Sequence, residues 1–229
     1  GEPVVAGATL MTPTALGALV ALAVLLALGA TGGGDAERGK IWLVFDLNGT
    51  LTSTSKANKQ SGHFKIRPNL SALKRLQDSG LFRLALWSSA KRYTIEGVLP
   101  DVESLAGVQF ERILHRDHTL PAGGDNGLQE NPTEFDTVKP LQAYFGDLSR
   151  VIIIDDTRKS YLGEEPNLVH VPTWDGHDQD DNVLVRLTDA LIHTFTNNRR
   201  EDVRRLTTGL ELRVCSRTTV NRPPPMVAL

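Results

Sequence analysis

Ile41-Trp-Leu-Val-Phe-Asp-Leu-Asn-Gly-Thr-Leu-Thr52 is the stretch whose reading decides the fold. Large apolar residues run from Ile41 to Phe45, break at Asp46 and give way to Asn48-Gly49. A continuous apolar run predicts a strand covered on both faces, as in a parallel sheet, and Asn-Gly predicts the polar loop into which it opens. Ligands of open α/β sheets bind at such carboxyl ends. The stretch therefore predicts both a fold class and the place of a site.

The same signature recurs along the chain. Phe82 to Trp87 stops at Ser88-Ser89-Ala90, and Val151-Ile-Ile-Ile154, four β-branched residues, stops at Asp155-Asp156. Further strands are predicted over 108–114, with Arg116-Asp117 just beyond, and over 168–171. Between them fall helical patterns. Arg67-Pro68-Asn69 opens one with Leu70, Leu73 and Leu76 on a single stripe, ended by Ser79-Gly80. A short helix holds Tyr93, Ile95 and Val98 and is closed by Pro100; another holds Leu141, Tyr144 and Phe145 just after Lys139. Val183, Leu184, Leu187, Leu191 and Ile192 share one face of a helix over 183–195, and 197–212 supplies one more. Residues 53–65 read as a polar excursion over the site face, and 121–136, rich in Gly, Asn, Asp, Glu and Pro, as an exposed loop or hairpin insertion. Alternating strands and helices predict an α/β, three-layer, Rossmann-like parallel sheet with helices on both faces.

At 229 residues there is room for one such domain with a full core and an appendage. The net charge of -2 gives no electrostatic case for nucleic acid. Cys215 is the only cysteine, which excludes an intrachain disulfide and a cysteine-rich metal site. The chain begins with Gly1, which predicts a processed amino terminus from which a targeting sequence has gone. From Pro3 to Gly34 there is no charged residue, and 14–31 is nearly all Ala, Leu, Val and Gly, close to the ~20 residues that cross a bilayer as a helix. Gly17, Ala18 and Ala21 would let a neighbouring helix approach. A signal peptide cleaved near Ala27-Leu-Gly-Ala30 is the other reading, and the lack of a basic segment before it favours the anchor. The predicted layout is a short amino-terminal segment (1–13), a transmembrane helix (14–31), a Gly-rich linker (32–39), the α/β domain (40–212) and an extended tail (213–229) with Pro223-Pro224-Pro225.

Asp46, Ser88 and Asp155 each follow a predicted strand, and parallel strands bring their ends to one rim. Asp46 and Asp155, with the main-chain oxygen of Asn48, suit magnesium, a hard cation that keeps several waters. Ser88 can donate to a phosphate oxygen and Lys139 can neutralise its charge. Each of these alone would pass as a cap or a solvated side chain. In this order they make a site.

Asp46-Leu-Asn-Gly-Thr, Arg67-Pro68, Leu86-Trp-Ser-Ser, Arg116-Asp117, Val138-Lys139 and Val151-Ile-Ile-Ile-Asp-Asp together resemble the motifs of the haloacid-dehalogenase superfamily. They are most like its phosphatases that act on the polymerase carboxyl-terminal domain, the NLI-interacting-factor type, over roughly 40–195. The resemblance implies that Asp46 stands at the position of the attacking nucleophile and Asn48 at that of the general acid. It implies Ser88 and Lys139 as phosphate-binding residues, Asp46, Asn48 and Asp155 as magnesium ligands, and Asp156 and Arg116 as supports around them. Asp155-Asp156 stands where the group has Asp-Asn, and Asn48 where it has Asp. An amide cannot protonate a leaving alkoxide or take a proton from water, help worth roughly 10² to 10⁴-fold, whereas Asp46 could still accept a phosphoryl group from a good leaving group.

Within that group, Pro172-Thr-Trp-Asp-Gly-His-Asp-Gln-Asp-Asp-Asn-Val-Leu184 and Arg200-Glu-Asp-Val-Arg204 are similar to the presequence-receptor subunits of the mitochondrial inner-membrane translocase. That similarity implies a single-pass inner-membrane protein whose domain lies in the intermembrane space and binds precursors and other subunits of a complex. An accessory subunit of a different inner-membrane complex, a respiratory one for example, fits the same description. The competing expectation is a magnesium-dependent phosphoprotein phosphatase. Asp175, Asp178, Asp180 and Asp181 offer either a surface for a basic presequence or a solvated loop in which Asp180 or Asp181 caps the next helix. Trp87 and Trp174 are read as core or pocket wall.

Overall fold

The computed structural model describes residues 39–54, 56–58, 63–122, 136–158 and 165–215. The chain enters the sheet at β1 (Ile41–Phe45). After a single turn over Leu70–Ala72 come α1 (Leu73–Asp78), β2 (Phe82–Trp87), α2 (Arg92–Glu96), α3 (Leu99–Ala106) and β3 (Arg112–Leu114). A two-residue antiparallel pair, β4 (Leu120–Pro121) with β5 (Thr137–Val138), closes the base of the predicted insertion, whose interior, 123–135, lies outside the described residues. The remaining elements are α4 (Leu141–Phe145), β6 (Val151–Asp155), β7 (Leu168–His170), α5 (Val183–Asn197) and α6 (Thr207–Cys215).

Five strands form one wholly parallel sheet in the order β3-β2-β1-β6-β7. The chain builds outward from β1 to one side through β2 and β3, then returns to the other side with β6 and β7. The reversal leaves a crevice at the carboxyl ends of β1 and β6, where open α/β sheets place ligands. Phe45 pairs with Ile154, so Asp46 and Asp155 emerge side by side, and Asp46 N donates to Ile154 O at 2.9 Å.

Alternation sorts the strand side chains onto two faces. Ile41, Leu43 and Phe45 join Leu84, Leu86, Ile152, Ile154 and Val169 beneath the apolar sides of α1, α3, α5 and α6. Val44, Ala85, Trp87, Ile153 and Leu168 form the opposite core with Leu141 of α4. Helices do lie on both faces; among the described residues the second face carries α4 and the turn at Leu148–Arg150. Aromatic rings add to this face: Trp42 meets Phe145 and Trp87 meets Tyr144 edge-on, with centroids 5.3 and 5.0 Å apart. The Arg83 guanidinium lies 4.1 Å from the centroid of the Trp42 ring.

Several local expectations are corrected. Pro100 does not close the helix containing Ile95; it opens α3, in the first turn, where its missing N–H would have had no partner. The strand predicted over 108–114 begins only at Arg112, because Val108 and Phe110 turn into the core and their amides bond Glu103 instead of a neighbouring strand. The helix predicted over 197–212 is a turn at Val203–Arg205 followed by α6, with the Asp202 carboxylate accepting from Arg204 N at the break. The predicted span 14–31 and most of the tail lie outside the described residues; among those described, no helix is long and apolar enough to cross a membrane.

Candidate functional site

The strand tips deliver the side chains in register. Lys139, two residues before α4, reaches into the crevice and is 2% exposed. Its Nζ donates to Asp46 Oδ1 at 2.6 Å and to Asp155 Oδ2 at 2.7 Å. Asp155 is held from its other oxygen by Thr157 N at 2.8 Å, the first turn after β6 folding back on the strand's last residue. Asp46, Asp155 and Asp156 bring three carboxylates to one spot, with one ligand oxygen of each within 4.8 Å of the others. Three carboxylates and one ammonium leave a formal charge of -2, with Asp46, Asp155 and Lys139 buried and Asp156 half-buried.

That charge shows in the titration of its members. Burial raises the Asp46 carboxyl to about 7, Lys139 opposes the rise, and Asp155 and Asp156 add to it. Burial pulls Lys139 the other way, downward, but the carboxylates of Asp155 and Asp46 outweigh it and the net shift is up. Asp156 is raised, first by burial, against a hydrogen bond with Thr173.

Gly49 explains how Asp156 joins the group. A Cβ there would sit 2.3 Å from Asp156 Oδ2, and its φ of +91° is open to glycine at little cost. Only a bare backbone lets the loop after Asp46 lie against that carboxylate.

Asn48 faces the pocket between two neutral partners. Its Nδ2 donates to Ser88 Oγ at 3.4 Å, and its Oδ1 accepts from Asn58 Nδ2 at 3.3 Å. Ser88 sits at the tip of β2, buried, with its N donating to Leu114 O at 3.1 Å and its Oγ accepting from Ala90 N at 3.2 Å. Arg116 lies further out, its Nε donating to Ser89 O at 2.8 Å. A pocket of about 710 Å³ opens over the group, with Asp46, Asn48, Ser88 and Lys139 among its lining and Phe64 and Tyr93 on its wall. The structure thus gathers Asp46, Asn48, Ser88, Lys139, Asp155 and Asp156 into one crevice, with Arg116 on its wall.

Two features escape a reading of the sequence. Asn58 lies in the polar excursion predicted over the site face, and its amide bonds both Asn48 and Ser53 O. Arg67 is 1% exposed and grips Asp181 with two parallel bonds, Nε to Oδ1 at 3.0 Å and Nη2 to Oδ2 at 2.8 Å, while also donating to Thr50 O and Pro172 O. It ties the loop after Asp46 to the start of α5, where Asp181 Oδ1 also accepts from Val183 N. Trp174 N completes the tie by donating to Gly49 O at 2.9 Å. Asp181 is therefore a structural anion, and Asp175 and Asp178 fold their own turns by accepting from His177 N and Asp180 N. Trp87 and Trp174 are both buried.

The chain is thus an α/β domain whose wholly parallel sheet sets a carboxylate at the tip of β1 and a lysine bridging it to an acid at the tip of β6. Residues 41–204 match the NLI interacting factor-like phosphatase family, and the chain belongs to it. It is similar to the mitochondrial import inner membrane translocase subunit TIM50 of Caenorhabditis elegans, 28% identical over 165 residues that make up 72% of this chain and 33% of that protein. The same subunit of Caenorhabditis briggsae matches with the same identity and coverage. The match spans about a third of the length of these relatives. Among solved structures, a variant of the fission yeast RNA polymerase II CTD phosphatase Fcp1 bound to beryllium fluoride is 15% identical, covering 80% of this chain and 65% of that one with a TM-score of 0.43.

Proposed function

We propose that this domain is a catalytically impaired, phosphatase-fold binding module of a mitochondrial inner-membrane complex, tethered through residues 14–31 and facing the intermembrane space. A presequence-translocase subunit that meets incoming basic presequences is the leading form of that role; an accessory subunit of another inner-membrane complex is the other. The similarity to TIM50 supports the setting. The observation that carries the impairment is Asn48, an amide fixed between Ser88 and Asn58 where the family's chemistry needs a carboxyl. It can position a phosphate but has no proton to give and no basicity with which to take one.

The same geometry supports a retained capacity to hold a phosphoryl group. Asp46, Asp155 and Asp156, with the Asn48 main chain, form an all-oxygen donor set that fits magnesium. When bound, the cation would offset the negative charge and let an anionic phosphate approach. Lys139 bridges Asp46 and Asp155, and Ser88, which lines the pocket, carries a hydroxyl able to donate to a phosphate oxygen. This retained frame also favours the second reading, a magnesium-dependent phosphoprotein phosphatase acting through an aspartyl-phosphate on Asp46.

Two experiments decide between them. Purified protein with magnesium is expected to hydrolyse an aryl phosphate barely above the Asp46→Asn variant; a rate that this variant abolishes would establish the phosphatase reading. In mild detergent the full chain is expected to co-purify with other inner-membrane proteins, and recovery of a lone monomer would sink the complex-subunit role.

A further inference from the structure

A basic cleft lies at the far end of α5, away from the crevice. α5 starts beside the crevice, where Asp181 Oδ1 accepts from Val183 N, and its 15 residues carry it about 22 Å away at ~1.5 Å per residue. The chain just past its end lies by the amino ends of the strands: Glu201 O accepts from Arg150 Nη1, and Arg150 immediately precedes β6. There the last turns of α5 and the side of α6 enclose a cleft of about 240 Å³. We propose that this cleft is an anion site that takes a phosphate group, held between Arg205 and Arg213 on one wall and His193 and Asn197 on the other. It is independent of what the crevice does.

The walls are built for a ligand of one sign. Arg205, Gly209 and Arg213 recur every fourth residue and all line the cleft, as do His193 and Asn197, four apart on α5. Among the described residues no carboxylate lines it. The acids nearest in sequence are engaged: the Asp202 carboxylate accepts from Arg204 at 2.6 Å, and Glu211 pairs with Arg158. The side chains of Arg213 and His193 make no hydrogen bond or ion pair among the described residues, and that of Arg205 has one long contact, 4.0 Å from Glu201. An exposed pair at that distance is worth little, so both guanidiniums are open to a better partner.

Gly209 shapes the floor between them. A Cβ there would meet nothing within 4 Å, so the backbone between the two arginines faces open space. An oxyanion can settle against bare main chain with an arginine one turn to either side. The geometry of the donors selects among oxyanions. A carboxylate presents two oxygens in one plane, which a single guanidinium fork satisfies. Two forks on one wall, with an imidazole and an amide on the other, ask for acceptors in more than one plane, and tetrahedral phosphate supplies them. At about 240 Å³ the cleft has room for a phosphate on a short ester arm and lies below the ~300–1,000 Å³ of pockets for drug-sized ligands.

The test titrates inorganic phosphate into the full chain in mild detergent with chelator present, followed by calorimetry. Without metal the crevice keeps its formal charge of -2 and repels phosphate, so uptake of one phosphate per chain is expected at the cleft. Arg213→Gln should weaken it about tenfold or more, the loss of one charge-assisted bond. Gly209→Glu, whose side chain enters open space and so spares the fold, should abolish it. Glycerol 3-phosphate and dihexanoyl phosphatidate then separate the sources of the phosphate: equal affinity assigns a soluble ester, and acyl-chain binding at least about tenfold tighter assigns a lipid headgroup. No uptake of any of the three probes, or uptake that either variant leaves unchanged, overturns the inference.

Discussion

Replacing Lys139 by Met tests whether the crevice is held together electrostatically. The side chain is nearly isosteric, so packing survives, but two bonds of 2.6 and 2.7 Å to buried carboxylates vanish together. Removing one partner of a buried ion pair costs about 3–5 kcal/mol, because the remaining charge stays behind without compensation. Here two carboxylates are stranded, one with 1% and the other with 8% exposure, next to a third. For a domain of this size each kcal/mol lowers Tm by about 2–4 °C, so a fall of about 6–20 °C is expected in metal-free buffer. Magnesium should restore part of it by returning a cation to the same oxygens, and more than it adds to the native protein. The Lys139→Met and Asp155→Asn pair supplies the control: their losses should be strongly non-additive, the double variant costing less than the sum. A loss below about 1 kcal/mol, or additive losses, would refute a lysine-bridged carboxylate pair, since an exposed pair is worth no more than that.

Three further outcomes follow from the same geometry. Arg67→Met should cost about 3–5 kcal/mol in urea unfolding, and Arg67→Lys should recover little of it, because an ammonium cannot make the parallel bonds to Asp181. Gly49→Ala meets both a φ of +91° and Asp156 Oδ2, and should destabilise by at least about 1–3 kcal/mol while weakening magnesium affinity in calorimetric titration. Because burial holds Asp46 near 7 in the fold, well above its unfolded value, the folded state binds the extra proton. Its contribution to stability is full below about pH 4 and is lost as pH rises toward about 7. Urea midpoints of chelated protein across that window should show the decline, and Asp46→Asn should flatten it.

The sheet was legible because its central strands β1 and β6 are largely buried on both faces and read as nearly continuous apolar runs. β1, β2 and β6 begin where the apolar runs begin, and the polar residues that end those runs are the ones the crevice gathers. The same reasoning failed at Val108 and Phe110, since buried residues outside a ladder look identical in sequence to buried residues within one. Pro100 was misread because proline marks helix starts as well as stops. Arg67 and Asp181, 114 positions apart, carry no local pattern that would pair them. Asn58 was hidden for a related reason: its role depends on where a polar loop folds back, which neither period nor composition encodes. Asp156 was expected only as a support, whereas Gly49's lack of a side chain admits it to the carboxylate group itself.

Under the proposed function, one amide, Asn48, separates phosphate binding from turnover. Measuring steady-state hydrolysis of an aryl phosphate by the native chain and by Asn48→Asp, under saturating magnesium and in one preparation series, tests it most directly. Ser88 and Asn58 already flank the position with groups able to donate to a carboxyl, so the substitution needs no rearrangement. A rise in kcat of roughly 10² to 10⁴-fold is expected, with affinity for inorganic phosphate little changed. Equal rates in the two proteins, whether both fast or both absent, would contradict it.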